Sequence, residues 1–245
     1  MLVDRELLAF RQTYYGLFVR LLWQEPPPEV VAALREDLDA RAAAAAEVHP
    51  WLGEGWALVA QFLATHPAEA VAEEFTRLFL GPYGVVLHPY ESYYLTGRFF
   101  AEPLVALRRF LRRLGLEKQG LAEPEDVLAF ELEVMRWLVG KQLAAATVSE
   151  AERWLRWQTA FLREHLLVWA PACAEDLERA PGVAFYRGVA RMLRGFLDVE
   201  QELLRPWGLG EVPSLAVARQ RYGSGAVWKG PTFDLDAGPA EEEEG

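Results

Sequence analysis

The sequence predicts an all-α protein, and two observations carry that prediction. Apolar residues recur at helical spacing along nearly all of the 245 residues, whereas the alternating pattern of a strand is hard to find. Hydrophobic residues make up 52% of the chain, which is enough to fill a substantial core. We therefore predict a single-domain helical bundle of about eight or nine helices over residues 1–205. An extended, partly disordered acidic tail is expected over residues 206–245.

The helices of the N-terminal third are predicted from apolar stripes. The first stripe ends before the proline run at 26–28, the second fades into the alanines at 42–46, and the third is centred on Trp56. A fourth helix is expected to begin after Thr65, which suits an N-cap, and to end at Gly81 and Pro82. The stripe residues are Leu7, Phe10, Tyr14, Leu17 and Leu21, then Val30, Val31, Leu34 and Leu38, then Val59 and Leu63.

Four more helices are expected further along the chain. One covers 104–114, and the next follows Pro124, whose acidic neighbours suit the first turn of a helix. Ser149 and Glu152 have the spacing of a capping box, which predicts a helix from there to about Pro171. The last strong helix is expected over 183–204.

Composition and charge narrow the classes of function. The formal net charge is -11, which disfavours nucleic acid as a partner and favours a basic peptide. No apolar run approaches the roughly 20 residues that span a bilayer, and the N-terminus does not resemble a secretory signal. Cys173 is the single cysteine, and it is interpreted as a packing residue. We therefore expect a cytoplasmic protein without stable membrane insertion.

Sequence motifs for catalysis are missing. The chain has no Gly-rich phosphate loop, H-E-x-x-H or G-x-S-x-G, and no histidine follows a glutamate at the spacing of a di-metal helix bundle. We predict no metal, no cofactor and no enzymatic activity. The alternative that stays open is a small all-α hydrolase or metalloprotein that uses His88, Glu91 and His165. His165 also lies on an apolar stripe, where a core histidine is expected.

A loop at residues 79–94, "FLGPYGVVLHPYESYY", separates two helical segments and holds four tyrosines. With the residues before it, "EEFTRLFLGPYGVVLHPYESYYL" resembles the hallmark of the TorD/DmsD/NarJ group of redox-enzyme maturation chaperones. "LAEPEDVLAFELEVMRWL" is similar to the group's E-P-x-D-H segment. "FLREHLLVWAPACAEDLERAPGVAFYRGVARML" resembles its F-x-x-x-H-L-x-x-W-x-P region and the helix that follows. Together these stretches cover most of residues 70–200.

The resemblance implies an all-helical cytoplasmic chaperone that binds the leader, the apo-form, or both, of a molybdopterin-dependent oxidoreductase subunit until its cofactor is inserted and it is exported. A twin-arginine leader is basic and carries an apolar stretch, so an aromatic floor with acidic groups would suit it. Glu91 and Asp126 are the expected contacts of the arginines. The candidate partner-binding residues are Phe79, Tyr90, Glu91, Ser92, Tyr93, Tyr94, Pro124 and Asp126.

Structural roles for the same residues stay open. The tyrosines could pin the loop to the core, Glu91 and Ser92 could cap helices, and Asp126 could act on a first helical turn. Val127 departs from the group's pattern, which often has histidine after the aspartate. The sequence does not identify the client oxidoreductase, and it leaves open a monomer or a dimer that exchanges elements. It also leaves open whether the tail, through Trp228 and Phe233, covers the binding groove.

Overall fold

The computed structural model describes residues 4–81, 86–117 and 123–223, and it confirms the all-α fold class. Within those ranges there is no β-strand, only one isolated antiparallel bridge between Tyr90 and Val127. The helices are α1 (Arg5–Leu22), α2 (Pro28–Leu34), α3 (Leu38–Val48), α4 (Pro50–Thr65), α5 (Glu69–Phe75), α6 (Glu91–Thr96), α7 (Glu102–Arg113), α8 (Leu128–Leu143), α9 (Val148–Phe161), α10 (Leu167–Arg179), α11 (Phe185–Leu204) and α12 (Leu215–Gly223).

The long helices pack in two groups that share one core. In the first group α11 packs between α4 and α10, and α3 covers the outer side of α4. In the second group α8 packs between α1 and α9. Phe18 of α1 and Phe196 of α11 are fully buried and contact each other where the two groups meet. This arrangement leaves the short helix α6 at one end of the bundle, against α7, α10 and α12.

A buried ion pair joins α1 to α11. The guanidinium of Arg11 donates to both carboxylate oxygens of Glu200, at 2.6 and 2.7 Å, and the hydroxyl of Tyr15 donates to Glu200 at 2.7 Å. None of the three side chains is accessible to solvent. Since every oxygen of the carboxylate has a donor, the cost of burying the two charges is offset by strong, well-directed hydrogen bonds.

Two helices contain a π-helical turn, and both turns lie in stretches that carry the family resemblance. α5 continues through such a turn at Thr76–Leu80, and α9 passes through another at Leu162–Leu166 into α10. A π-turn inserts one extra residue into a helix and re-aims the side chains beyond it. The second turn contains His165, so it directs this ring toward α6.

Two predicted helix caps need correction. Thr65 is the last residue of α4 and does not cap α5. The cap of α9 is Thr147, which accepts from Glu150 N–H, while Glu150 accepts in return from Ala146 N–H. Thr147 and Glu150 therefore form a reciprocal pair like a capping box two residues before the predicted one, with Glu150 binding the N–H of the residue that precedes the cap. Since Thr147 and Glu150 have the same spacing as Ser149 and Glu152, the sequence alone did not distinguish the two registers.

The segment expected as an extended tail contains helix α12. Leu215 and Ala218 of α12 pack against Leu95 of α6 and Val168 of α10. The Arg219 side chain donates to the carbonyl of Tyr94 at 2.7 Å. Residues 224–245, including Trp228 and Phe233, lie outside the described residues, so the division of the chain at residue 205 stays a prediction.

The contact between α4 and α11 depends on glycines that allow the helix backbones to approach. A Cβ atom added to Gly55 would lie 2.7 Å from the carbonyl oxygen of Gly188 and also overlap Met192. Both neighbours belong to the fully buried part of α11. A side chain at Gly55 therefore requires the two helices to move apart.

We expect Gly55→Ala to lower the free energy of unfolding by more than about 2 kcal/mol, because overpacking forces backbone shifts in a dense core. Urea denaturation followed by circular dichroism measures this loss. Gly16→Ala in α1 is the matched control, because its Cβ would meet only Arg136 Cδ at an ordinary 3.4 Å. Equal stability of the two variants would contradict the close approach.

Candidate partner-binding site

The N-terminus of α6 is held by Asp126, which comes from the connection before α8. The carbonyl of Asp126 accepts from Glu91 N–H at 2.8 Å, and its carboxylate accepts from Ser92 N–H at 3.0 Å. On the other side, Leu128 N–H donates to the carbonyl of Pro89 at 2.8 Å. A carboxylate at a helix N-terminus satisfies free N–H groups and interacts favourably with the helix dipole. Asp126 therefore fixes where α6 begins.

Glu91 points from the first turn of α6 into the core. Its carboxyl oxygens lie 3.1 and 3.2 Å from Nδ1 of His165, and neither side chain is accessible. Glu131 of α8 lies nearby and accepts from the indole N–H of Trp169 at 3.1 Å. We call Glu91, Asp126, Glu131 and His165 the buried polar cluster.

Burial keeps much of this cluster uncharged. Desolvation, followed by the negative charge of Asp126, raises the pKa of Glu91 well above its usual range. Desolvation and the proximity of Glu91 likewise raise the pKa of Glu131. Desolvation lowers the pKa of His165 to about 4, although Glu164 opposes the shift. A protonated Glu91 that donates to a neutral His165 agrees with the raised pKa of Glu91 and the lowered pKa of His165.

Tyr94 and Tyr93, adjacent on α6, differ in burial. Tyr94 is buried, packs against Trp169 with ring centroids 5.5 Å apart, and donates its hydroxyl to Asp176 at 2.8 Å. Tyr93 is 37% exposed and stacks on Phe99 at 5.2 Å. The helix thus uses one tyrosine to attach itself to α10 and presents the other at the surface.

An exposed aromatic group surrounds Tyr93, and we call it the aromatic surface. The ring centroid of Phe99 lies 5.2–5.3 Å from those of His88, Tyr90 and Tyr93. The rings of His88 and Tyr93 are 4.9 Å apart. Phe99 is 42% exposed and Phe100 is 73% exposed. Contiguous exposed aromatic groups are typical of protein-binding surfaces. The aromatic surface consists of His88, Tyr90, Tyr93, Phe99 and Phe100.

A small pocket opens beside the aromatic surface. Its volume is about 170 Å³, close to the 150 Å³ of an engineered cavity that holds a benzene molecule. The exposed carboxylate of Glu123 lies at the pocket and accepts from the hydroxyl of Tyr90 at 2.7 Å. The pocket therefore accommodates one large apolar side chain next to a negative charge. It is lined by Phe79, Leu87, His88, Pro89, Tyr90, Phe99, Phe100, Glu123 and Pro124.

Phe100 has an unusual backbone conformation. Its φ is +57°, in the left-handed region that bulky residues rarely adopt. The strain has no compensating burial, since Phe100 is the most exposed large apolar residue in the part of the chain that the structure describes. Strained residues of this kind are concentrated at functional sites, so the conformation marks Phe100 as a candidate contact.

The structure brings the predicted site residues together, but it separates them into two layers. Phe79, Tyr90 and Pro124 line the pocket, and Tyr93 lies on the aromatic surface. Glu91, Ser92, Tyr94 and Asp126 lie beneath, with side chains that are buried. The carboxylates of Glu91 and Asp126 therefore do not reach a peptide at the surface. Asp126 has the helix-capping role and Tyr94 the anchoring role that the sequence left open, whereas the side chain of Glu91 pairs with His165 and caps no helix.

Sequence reasoning missed Phe99, Phe100 and Glu123. Phe99 and Phe100 follow Gly97, whose φ of +72° ends α6 and turns the chain back over it. Two adjacent phenylalanines just after a glycine are a signal that could have been found. Glu123 directly precedes Pro124 in the "EPED" segment, but only its position across from Tyr90 reveals it as the accessible carboxylate.

The described residues also bear on metal binding and on membrane insertion. Among residues 4–81, 86–117 and 123–223, no three or more His, Cys, Asp or Glu side chains form a group that could hold a metal ion. In the same residues, no helix combines the length and apolar character that crossing a membrane requires. His88 lies on the aromatic surface, where its ring contacts Tyr93. His165 instead contacts Glu91 in the core.

Comparison with known proteins identifies the family. The family model described as the nitrate reductase delta subunit matches residues 45–175, more than half of the chain. The chain belongs to this family. The match confirms the resemblance to the TorD/DmsD/NarJ group, and the matched residues include α6, the pocket and the π-turn at His165.

Individual relatives agree with the family. The chain is 33% identical over 138 residues to the chaperone protein TorD of Aeromonas salmonicida, covering 56% of this chain and 62% of that relative. It is 28% identical over 173 residues to the Tat proofreading chaperone DmsD of Salmonella typhi, covering 69% of this chain and 76% of that protein. The crystal structure of a redox enzyme maturation protein from Archaeoglobus fulgidus is similar, with 22% identity, a TM-score of 0.49 and coverage of 77% and 93%.

We expect Glu91→Gln to retain nearly the full stability, because the amide replaces the protonated carboxyl as a donor to His165. Glu91→Ala should lose more than about 2 kcal/mol of unfolding free energy, since it leaves a cavity and an unpaired ring nitrogen. Chemical denaturation near neutral pH measures both. Comparable losses in the two variants would show that the charge of Glu91, and not its hydrogen bond, is needed.

A second prediction concerns pH. A carboxyl group whose pKa is raised by folding stays protonated in the native state, whereas the unfolded chain ionises it above about pH 4.3. The stability that Glu131 contributes is therefore present below that pH and is lost as the pH rises. We expect Glu131→Gln to gain thermal stability relative to wild type as the pH is raised from about 5 to about 8. A difference in melting temperature that is independent of pH would contradict the raised pKa.

Proposed function

We propose that this protein is a non-enzymatic cytoplasmic chaperone that assists the maturation of a molybdopterin-dependent oxidoreductase subunit. It binds the subunit's leader, which is basic and carries twin arginines, or the apo-form of the subunit, until the cofactor is inserted. Family membership, with relatives named as TorD and as a Tat proofreading chaperone, is the observation that carries the proposal.

The site chemistry suits a peptide of this kind. The pocket takes one large apolar side chain, and the exposed rings of Tyr93, Phe99 and Phe100 extend the apolar contact beyond it. Glu123 supplies an accessible negative charge at the edge of the pocket. Arginine pairs with carboxylates through two parallel hydrogen bonds and also stacks on aromatic rings, so a basic leader can use both features.

The predicted site residues then have two different roles. Phe79, Tyr90, Tyr93 and Pro124 contact the peptide, together with Phe99, Phe100 and Glu123. Glu91, Ser92, Tyr94 and Asp126 act as positioning residues that hold α6 and its exposed face. The departure at Val127 fits this division, because Val127 pairs with Tyr90 through the isolated bridge and lies beside the residues that contact the peptide.

Affinity capture tests the proposal. We expect the tagged full chain to retain an immature molybdoenzyme subunit from its native cytoplasm, identified by mass spectrometry. Phe100→Ser should reduce the retained subunit about ten-fold, because a central aromatic contact is typically worth 1 to 2 kcal/mol or more. Its melting temperature should not change, since the side chain is 73% exposed.

Val148→Ser is the matched control. Val148 is also an exposed apolar residue, 56% accessible, but it lies at the start of α9 and away from the aromatic surface. It should capture as much subunit as wild type. Capture that is unaffected by Phe100→Ser would place the interface elsewhere, and capture of no molybdoenzyme subunit would count against the chaperone function.

A further inference from the structure

A second and larger cleft lies on the N-terminal helices, at residues that the proposed function does not use. Its volume is about 850 Å³, within the range of 300–1,000 Å³ that is usual for ligand sites. One wall is α1 with Phe10, Tyr14 and Leu17, and the opposite wall is α2 and α3. Trp56 closes the base, where its indole N–H donates to the hydroxyl of Tyr14 at 3.1 Å. We call it the N-terminal cleft.

The charge of the N-terminal cleft is opposite to that of the protein. Arg20, Arg41 and Arg136 line it, and no aspartate or glutamate is among the described residues that do so. Arg136 is paired with Glu133 on its own helix. Arg20 and Arg41 are exposed, and neither forms an ion pair within the described part of the chain; Arg41 lies over the ring of Trp56. In a chain of net charge -11, this is a local positive field beside apolar walls.

The ligand chemistry that fits is an anionic segment with apolar side chains. Guanidinium groups bind carboxylates through charge-assisted hydrogen bonds, while Phe10, Leu17 and Val48 offer apolar contact. The chain itself contains such a segment beyond α12. Residues 224–245 carry six acidic residues and one lysine, and they include Trp228, Phe233 and Leu235.

The stretch Phe233-Asp234-Leu235-Asp236 alternates apolar and acidic residues. In an extended backbone, successive side chains point to opposite sides, so Phe233 and Leu235 share one side and the two aspartates share the other. Pro231 and Pro239 flank the stretch and disfavour a helix there. The apolar side suits the α1 wall, and the acidic side suits Arg20 and Arg41 at the rim.

The connection between α12 and the acidic stretch is long on the scale of the molecule. Phe233 lies ten positions after Gly223, the last residue of α12, and ten extended residues at about 3.3 Å each span about 33 Å. A folded chain of 245 residues has a radius of gyration of about 18 Å. The acidic stretch therefore reaches well beyond the immediate surroundings of α12.

We infer that the N-terminal cleft is the binding site of the chain's own acidic C-terminal segment, with residues 233–236 in the cleft and Arg20 and Arg41 bound to its carboxylates. The inference is independent of the proposed function, since none of these residues belongs to the aromatic surface or the pocket. The contact would join the last residues of the chain to α1.

Photo-crosslinking of the full chain tests the inference without any client. Cys173 is fully buried, and burial raises the pKa of its thiol, so an added Ala237→Cys is the reactive site for a benzophenone label. We expect intramolecular crosslinks to peptides of α1 and α3. Arg20→Ser with Arg41→Ser should reduce their yield at least about five-fold, and so should about 1 M salt, which shortens the Debye length to about 3 Å.

The matched control is Arg5→Ser with Arg187→Ser, which removes the same charge from exposed arginines outside the cleft. It should leave the yield unchanged. Three outcomes would overturn the inference. The crosslinks could be confined to the arginines of α7, they could join two copies of the chain, or both double variants could lower the yield equally. Absence of any crosslink in wild type would overturn it as well.

Discussion

The candidate site depends on one interaction, the hydrogen bonds of Asp126 with the N-terminus of α6. Helix α6 has only six residues, too few to form alone, because helix nucleation is costly. Asp126 supplies two acceptors for its first N–H groups from a segment 34 residues away in sequence. Once α6 is fixed, Tyr94 points to the core and Tyr93 to solvent, and Gly97 returns the chain so that Phe99 stacks on Tyr93. The exposed aromatic surface is a consequence of a buried carboxylate.

Acidic residues of the family motifs repeat this role elsewhere in the fold. Glu74 accepts from the backbone N–H groups of Ala184, Phe185 and Tyr186, and so caps the 20-residue helix α11. A buried carboxylate that removes several unpaired N–H groups offsets its own desolvation through short, charge-assisted bonds. The motif residues therefore preserve the shape of the site, while the residues that can touch a partner lie above them.

Much of the fold could be predicted from the sequence, because the long helices carry their apolar period over several turns. α1, α8 and α11 lie where the stripes place them. The short helices were missed for physical reasons. α6 is stabilised by distant acceptors, and α12 has apolar residues at helical spacing, Leu215, Ala218 and Tyr222, but they are flanked by Gly and Pro that favour a loop interpretation. The local sequence pattern predicts neither the distant hydrogen-bond acceptors of α6 nor the packing of α12.

The sequence predicted where the candidate site residues lie in the chain, but it did not predict which of their side chains are exposed. The motif resemblance placed the candidate binding residues around α6. Glu91 and Asp126 were expected to bind a ligand because they are acidic, but both side chains are buried and bond to other residues of the fold. Glu91 meets His165 across 74 residues of sequence, and the ring comes from the π-turn at 162–166. Pairings of this kind follow from tertiary geometry and have no short-range signature.

In the proposed function, the motif carboxylates position the site and the accessible carboxylate of Glu123 meets the basic partner. The most direct measurement is a calorimetric titration of a synthetic peptide, with two adjacent arginines followed by an apolar stretch, into wild type, Glu91→Gln and Glu123→Gln. We expect Glu91→Gln to bind as wild type does, and Glu123→Gln to bind several-fold more weakly with a reduced dependence on salt. Weak binding by Glu91→Gln together with unchanged binding by Glu123→Gln would contradict it.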